Sequence, residues 1–183
     1  MNVLVYIHGG FEEGSAHRPI RPSGQLAKHL NSVLVSINYR LNAMGFLALD
    51  LLANNNANSS HGNYGLWDVT EAFLWIGRNI RLFGGHPNRL TLFGADGNII
   101  RSLLSNNVYE PMIRNVWIVA QNNSLKVRHR FPLQSKRFRN CFLTQTNCST
   151  VPCLLAMDGN HVLDIYRRNC DLGDVSPLVY DGE

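Results

Sequence analysis

The sequence predicts an α/β fold with a mostly parallel central sheet flanked by helices. The first observation is a set of short apolar runs, such as VLVYI at 3–7 and VLVSI at 33–37, that are rich in Val and Ile. Runs that are apolar on both faces are typical of strands buried in a parallel sheet. The second observation is that helical segments separate these runs, and this alternation favours crossover connections within one sheet.

The first helices and the third strand follow in order along the chain. GQLAKHLN at 24–31 predicts a short helix between the first two strands. After the Asn-rich stretch at 52–63, large apolar residues recur at helical spacing and predict an amphipathic helix over 66–81. These residues are Leu66, Val69, Phe73, Ile76 and Ile80. GGHPNR then breaks the chain, and LTLF at 90–93 predicts the next strand.

The remaining elements continue the alternation before it weakens. NIIRSLLSN at 98–106 predicts the helix after the third strand, and VWIVA at 116–120 predicts a fourth buried strand. Later in the chain the pattern predicts two helices, near 135–146 and 159–168. Asp158 is the expected N-cap of the second of these helices.

Composition places the chain among soluble globular proteins and excludes several function classes. An apolar content of 45% with 16% charged residues is too hydrophobic for a disordered chain, and 183 residues suffice for one domain. The basic stretch at 126–139 holds six Lys or Arg residues and no acid. It lacks the interleaved glycines of a nucleic-acid module, so we interpret it as a solvated surface and predict no nucleic-acid partner.

The apolar runs predict neither a membrane-spanning segment nor a signal peptide within this sequence. None of them is long enough to span a membrane, so we predict no membrane segment in this chain. The amino terminus, MNVLVYIHGG, lacks a basic region and predicts a core strand instead of a signal peptide.

The cysteines and glycosylation sequons favour an extracellular or cell-surface location. The four cysteines lie in the last quarter of the chain, and because they form no Cys-x-x-Cys pair we predict no metal site and no cofactor. They are Cys141, Cys148, Cys153 and Cys170. An even, clustered set of cysteines together with three sequons is typical of the secretory pathway. The sequons begin at Asn58, Asn122 and Asn147.

Four stretches in fixed order carry a resemblance to a known family. They are VYIHGGFEEGS (5–15), INYRLNAMGFLALD (37–50), GNYGLWDVTEAFLWIGRNIRLFGGHPNRLTLFG (62–94) and VAQNNSL (119–125). Together they resemble the type-B carboxylesterase/cholinesterase family of α/β-hydrolases. The resemblance implies a single, incomplete α/β-hydrolase domain over 1–183. It would have core motifs in 2–125 and a helical, cysteine-containing part in 126–183.

The resemblance identifies a nucleophile elbow without its serine. The family carries Gly-x-Ser-x-Gly where a strand turns sharply into a helix. Here Gly94 permits the turn, Asp96 stands at the nucleophile position before Gly97, and Asn98 replaces the final glycine. A helix N-terminus stabilises an anion, so Asp96 is expected to be a structural cap. The alternative is an aspartate nucleophile, as in haloalkane dehalogenases and epoxide hydrolases, but that chemistry needs a histidine and the neighbouring motifs are those of esterases.

The other parts of the machinery also depart from the family pattern. Gly9 and Gly10 match the oxyanion loop, whose N–H groups bind the developing oxyanion. One small residue is missing before Phe11, and this deletion is expected to rotate the donors away from their target. His8 resembles a loop residue of the family and not the catalytic base.

We expect the triad acid and histidine to be absent. The resemblance implies that both lie beyond the segment similar to PLVYDGE, and neither His129 nor His161 lies in a stretch resembling the family's histidine loop. Ser102 and Ser105 fall inside the helix after the elbow, where neither can replace the nucleophile.

The remaining cysteines and one histidine complete what the resemblance implies about packing. Cys148 and Cys153 resemble a family disulfide, although Cys141 could pair with Cys153 instead, and Cys170 has no family counterpart. His86 replaces the usual aspartate of FGGHPNR, which removes an internal ion pair.

These features predict a catalytically inactive, cholinesterase-like domain. The resemblance is to the adhesion branch of the family (neuroligins, neurotactin, gliotactin, glutactin), which implies a protein partner at the cell surface. The Asn-rich loop at 52–63 is a candidate contact surface. The alternatives are a fragment or splice product of an active serine esterase, and a truncated relic of marginal stability.

Overall fold

The described residues of the computed structural model form two compact units. The first comprises Met1–Tyr39 and Leu66–Asn123, and the second comprises Arg40–Gly65 and Ser124–Glu183. The structure describes residues 1–10, 15, 22–53, 62–95, 97–105, 109, 111–119 and 136–170. The single domain over 1–183 stays a prediction.

The first unit contains a four-stranded sheet in which every pairing is parallel. The strands are β1 (Asn2–Ile7), β2 (Ser32–Ile37), β3 (Leu90–Gly94) and β4 (Ile113–Ile118). Their order across the sheet is β2-β1-β3-β4, so the two central strands are the ones that are richest in buried residues. The predicted parallel sheet with flanking helices is therefore confirmed.

The helices of the first unit follow the predicted periodicity. They are α1 (Gly24–His29), α4 (Tyr64–Asn79, from Leu66 onward), a 3-10 helix (Ile80–Phe83) and α5 (Gly97–Leu104). Val69, Phe73 and Ile76 of α4 are fully or almost fully buried, as the apolar spacing predicted. The 3-10 helix ends at Gly84, whose φ of 80° is a conformation that glycine adopts without strain.

The fourth strand differs from its prediction. VWIVA predicted a buried strand at 116–120, whereas β4 covers Ile113–Ile118 and exposes Trp117. The reason is position, because β4 is an edge strand paired only with β3 among the described strands. An apolar run alone does not distinguish an edge strand from a central one.

The second unit is helical over its described residues. Its helices are α2 (Asn42–Phe46), α3 (Asp50–Ala53), a π-helical turn (Arg139–Leu143) leading into α6 (Thr144–Thr146), α7 (Val151–Leu155) and α8 (Gly159–Asn169). Asp158 caps α8 as predicted, accepting hydrogen bonds from the N–H groups of Asn160 and His161. Helices α2, α3 and α7 were missed because each is at most five residues long and therefore has almost no periodicity.

Two disulfide bonds connect the helices of the second unit. Cys148 bonds to Cys153, which is one of the two pairings that the sequence left open. Cys141 bonds to Cys170, a pairing that the sequence did not suggest. Cys170 directly follows α8, and the packing of that helix against the π-helical turn brings the two Cα atoms to 5.5 Å.

Candidate active site

The elbow begins where β3 leaves the sheet beside β1. Gly94 is the last residue of β3 and pairs with Ile7. A Cβ atom added at Gly94 would lie 2.2 Å from the carbonyl oxygen of Ile7, so no side chain fits at this position. The N–H of Ala95 donates to the same oxygen over 3.3 Å. The backbone of β1 therefore fixes the start of the turn.

The candidate oxyanion loop packs directly against the elbow. A Cβ atom at Gly9 would lie 2.9 Å from the Cβ atom of Ala95, so the loop backbone approaches the turn as closely as glycine permits. Gly10 has a φ of 89°, which places it in the left-handed region that favours glycine. The structure thus brings Gly9 and Gly94, two residues singled out in the sequence, into one site.

His8 supports this loop from inside the first unit. Its side chain is buried, and its ring stacks on that of Tyr39 with 4.4 Å between the ring centroids. The Tyr39 hydroxyl donates to the carbonyl oxygen of His8 over 2.8 Å, and Nδ1 of His8 lies 3.2 Å from the carbonyl oxygen of Gly9. Burial lowers the pKa of His8, and the contact with Gly9 offsets part of that shift. His8 is therefore neutral at pH 7 and suited to holding the loop.

The serines after the elbow form hydrogen bonds within the helical segment. Ser102 donates to the carbonyl oxygen of Asn98 over 3.0 Å, and Ser105 donates to that of Arg101 over 2.8 Å. Both bonds join residues four apart, a local pattern that keeps a hydroxyl along its helix. Gly97 opens α5 and is buried, whereas Asn98 is only partly buried.

Several residues singled out in the sequence lie outside the described residues. They are Phe11, Asn58, Asp96, Asn122 and His129. The role of Asp96 as a structural cap therefore stays a prediction. Of the remaining candidates, His161 and Asn147 are exposed residues of the second unit.

His86 occupies the turn between the 3-10 helix and β3. Its Nδ1 accepts a hydrogen bond from the N–H of Asn88 over 3.2 Å, and this contact stabilises the turn. Partial desolvation lowers the pKa of His86, and the positive charges of Arg81 and Arg89 lower it further. The imidazole thus stabilises the turn without adding a negative charge beside these arginines.

Tyr39 is the site residue that sequence reasoning missed. It lies in the INYRLNAMGFLALD stretch, only two residues after β2 ends at Ile37. The signal was an aromatic residue directly after a buried parallel strand, where side chains meet at the carboxyl edge of the sheet.

A cavity of about 410 Å³ lies on one face of the sheet. Its lining includes Leu4, Tyr6, Leu34, Phe93 and Trp117, and does not include Gly9, Gly94 or Gly97. Among the described residues, no cluster of His, Cys, Asp or Glu side chains is suited to binding a metal. No helix within the described ranges is long and apolar enough to cross a membrane.

Comparisons of sequence match this chain to a known family. The profile of the carboxylesterase family matches residues 1–151. The Fumonisin B1 esterase of Sphingopyxis macrogoltabida is 40% identical over 118 residues, which cover 61% of this chain and 22% of that protein. The Cholinesterase of Mus musculus is 31% identical over 172 residues, covering 88% of this chain and 27% of that protein. Neuroligin-3 of Homo sapiens is 38% identical over 94 residues, which cover 51% of this chain and 10% of that protein.

Solved structures give the same result for the fold. A carboxylesterase of Geobacillus stearothermophilus superposes with a TM-score of 0.78 at 29% identity, covering 90% of this chain and 36% of that one. The Juvenile Hormone Esterase of Manduca sexta gives a TM-score of 0.71 at 27% identity, and the match covers 91% of this chain and 32% of that one. This chain thus spans between about a tenth and about a third of the length of these relatives. The protein belongs to the type-B carboxylesterase/cholinesterase family and has the α/β-hydrolase fold.

Proposed function

We propose that this chain is a catalytically inactive, cholinesterase-like domain that binds another protein at the cell surface. The observation that carries the proposal is the aspartate at position 96, where the family's elbow holds its serine nucleophile. The nearby hydroxyls do not replace it, since Ser102 and Ser105 bond to backbone carbonyls in the helical segment. The scaffold around the elbow is intact, because Gly9 and Gly94 keep their close approaches.

The cell-surface part of the proposal is supported by the chemistry of the second unit. Its four cysteines form two disulfide bonds, and disulfides persist in oxidising compartments. Asn147 is exposed and begins the sequon Asn147-Cys148-Ser149, so it is accessible to glycosylation. We expect secreted expression to yield a glycoprotein, and endoglycosidase treatment that leaves its mass unchanged would contradict this part.

The experiment that tests catalysis is turnover of a nitrophenyl ester together with labelling by a fluorophosphonate. The 183-residue chain is expected to show neither. Fluorophosphonate labels an activated serine, so Ser102→Ala and Ser105→Ala are the matched controls that identify the residue if labelling occurs. Turnover above the buffer rate, or labelling that one of these variants abolishes, would refute the inactive domain.

The experiment that tests the binding function is attachment of the fluorescent chain, presented as a multimer, to intact cells. Binding that disappears after mild trypsin treatment of the cells identifies a protein partner. Lack of attachment to every cell type tested, or attachment that survives trypsin, would contradict the proposal.

A second candidate is a fragment or splice product of an active serine esterase. The similarity to the Fumonisin B1 esterase, 40% over 118 residues, favours it. An Asp96→Ser variant of this chain is expected to stay inactive under either candidate, since the triad acid and histidine are expected to be absent. The full-length transcript distinguishes the two, because Gly-x-Ser-x-Gly at its elbow would support the second candidate.

A further inference from the structure

An exposed apolar surface lies at the end of α4. Leu82 is 83% exposed, Phe83 is 57% exposed and Trp75 is 49% exposed. The rings of Trp75 and Phe83 contact each other, with 5.9 Å between their centroids. Since Ile80 of the same 3-10 helix is buried, that helix anchors itself with one apolar residue and presents the next ones to solvent. Two exposed aromatic rings in contact, with an exposed leucine next to one of them in sequence, indicate an interaction site.

Three arginines lie in or near the turn that follows the 3-10 helix. Arg81 precedes Leu82 in the 3-10 helix, and Arg89 closes the turn, where its backbone N–H donates to the carbonyl oxygen of His86 over 3.0 Å. Arg114 of β4 reaches the same turn, and its Nε donates to the carbonyl oxygen of Asn88 over 3.0 Å. The turn thus has Arg81 before it in the 3-10 helix and Arg89 at its end directly before β3, and Arg114 reaches it from β4.

This positive charge is not neutralised within the described residues. Ion pairs there join Arg139 to Asp50 and Arg168 to Asp164, and all four of these residues belong to the second unit. His86 reports the local potential, since the charges of Arg81 and Arg89 add to desolvation in lowering its pKa. Among the described residues, the surface therefore combines exposed apolar side chains with arginines that form no ion pair.

We propose that Trp75, Arg81, Leu82, Phe83 and Arg89 form an aromatic–arginine patch that docks an acidic protein segment carrying apolar side chains. The inference rests on the proposed protein-binding function and names the chemistry of the partner. Arginine pairs with carboxylates through two parallel hydrogen bonds, and Trp, Phe and Arg are the residues that concentrate binding energy in interfaces. A sulfated polysaccharide would satisfy the arginines but would leave Leu82 and Phe83 in water.

The probes for this patch are three short synthetic peptides. One alternates Glu with Leu and Phe, the second has Gln in place of every Glu, and the third keeps Glu but has Ser in place of the apolar residues. We expect only the first to bind the full 183-residue chain measurably, with an affinity that falls as salt is raised. Trp75 supplies a local readout, because its fluorescence should shift on binding and this shift should be lost in Trp75→Phe.

Matched variants locate the binding on the patch. Leu82→Ser, and the charge reversal Arg81→Glu with Arg89→Glu, should each weaken binding of the first peptide about tenfold or more. Lys136→Glu with Arg167→Glu is the control, since both residues are exposed, belong to the second unit and together change the net charge by the same amount as the arginine double variant. All of these side chains are exposed, so the variants should fold, and identical far-UV circular dichroism spectra check this.

The outcomes separate the patch from the proposed function. Equal binding of the Glu and Gln peptides, unchanged affinity in both patch variants, or binding of a heparin fragment but of no peptide would overturn the patch. Sedimentation showing self-association that Leu82→Ser abolishes would also overturn it, since the occupant would then be a second copy. Ester turnover in the same samples would refute the inactive domain and would leave the peptide result standing.

Discussion

Removing the Cys141–Cys170 disulfide should destabilise the second unit more than removing Cys148–Cys153. The two bonds join residues separated by 29 and 5 positions. Loop-closure entropy of the unfolded chain then gives about 3.6 kcal/mol for the longer loop and about 2.1 kcal/mol for the shorter one at 25 °C. The expected difference in the free energy of unfolding is therefore about 1.5 kcal/mol.

Packing acts in the same direction as loop length. Cys170 is almost fully buried and belongs, with Phe138 and Phe142, to the apolar core of the second unit, against which Cys141 also packs. Cys148 is buried but Cys153 is exposed, whereas both ends of the longer bond lie in or against this core. Alanine at both ends of the longer bond should therefore lose more contacts, which adds to the difference of about 1.5 kcal/mol.

The assay is urea unfolding of the two double variants, Cys141→Ala with Cys170→Ala and Cys148→Ala with Cys153→Ala. Far-UV circular dichroism follows the helices of both units, so a loss of helix signal without a matching change in tryptophan fluorescence reports the second unit. All three tryptophans of the chain lie in Leu66–Asn123, so their fluorescence follows the first unit separately. Equal losses, or a larger loss from the shorter loop, would refute the reasoning from loop length.

Three further perturbations test the elbow, the loop and a helix cap. Gly94→Ala should lower the free energy of unfolding in urea by about 2 kcal/mol, because its Cβ would lie 2.2 Å from the carbonyl oxygen of Ile7. Gly24→Ala, with open space around its Cβ, is the control and should cost nothing. Equal effects would contradict the close approach. Burial lowers the pKa of His8, so the unfolded chain binds more protons than the folded one, and stability should fall as the pH drops below about 6.5. This fall should be less steep in His8→Gln. Parallel curves of stability against pH for the two proteins would exclude a contribution from His8. Asp158→Ala should cost about 1 kcal/mol, measured by thermal unfolding, through loss of its two cap hydrogen bonds, and an unchanged midpoint would show that the cap contributes nothing.

The sheet was predictable from the sequence because its signal is local. Runs such as VLVYI are apolar on both faces, and only a strand covered on both sides needs this pattern. The edge position of β4 was not predictable, since being last in the sheet depends on which strands pair and not on the run itself. The Cys141–Cys170 bond was not predictable for the same reason, because the fold of the second unit brings together residues that are far apart in sequence.

The candidate site was predictable only in part. The family resemblance places Gly9 and Gly94 in one active site, and the structure brings them together. The stacking of Tyr39 on His8 and the exposure of Trp75 escaped prediction, because both are decided by tertiary packing. Periodicity would assign Trp75 only to a helix face.

The elbow glycines and the elbow nucleophile carry different kinds of information. Gly94 is required by the carbonyl oxygen of Ile7, and Gly9 by the side chain of Ala95, whether or not a reaction takes place between them. These glycines therefore indicate the fold and are silent about chemistry. Only the residue at position 96 reports on the nucleophile, and there the chain has an aspartate. Overall similarity to esterases comes mostly from positions that, like Gly9 and Gly94, are fixed by packing. Such similarity accordingly supports the hydrolase scaffold far more strongly than it supports hydrolysis.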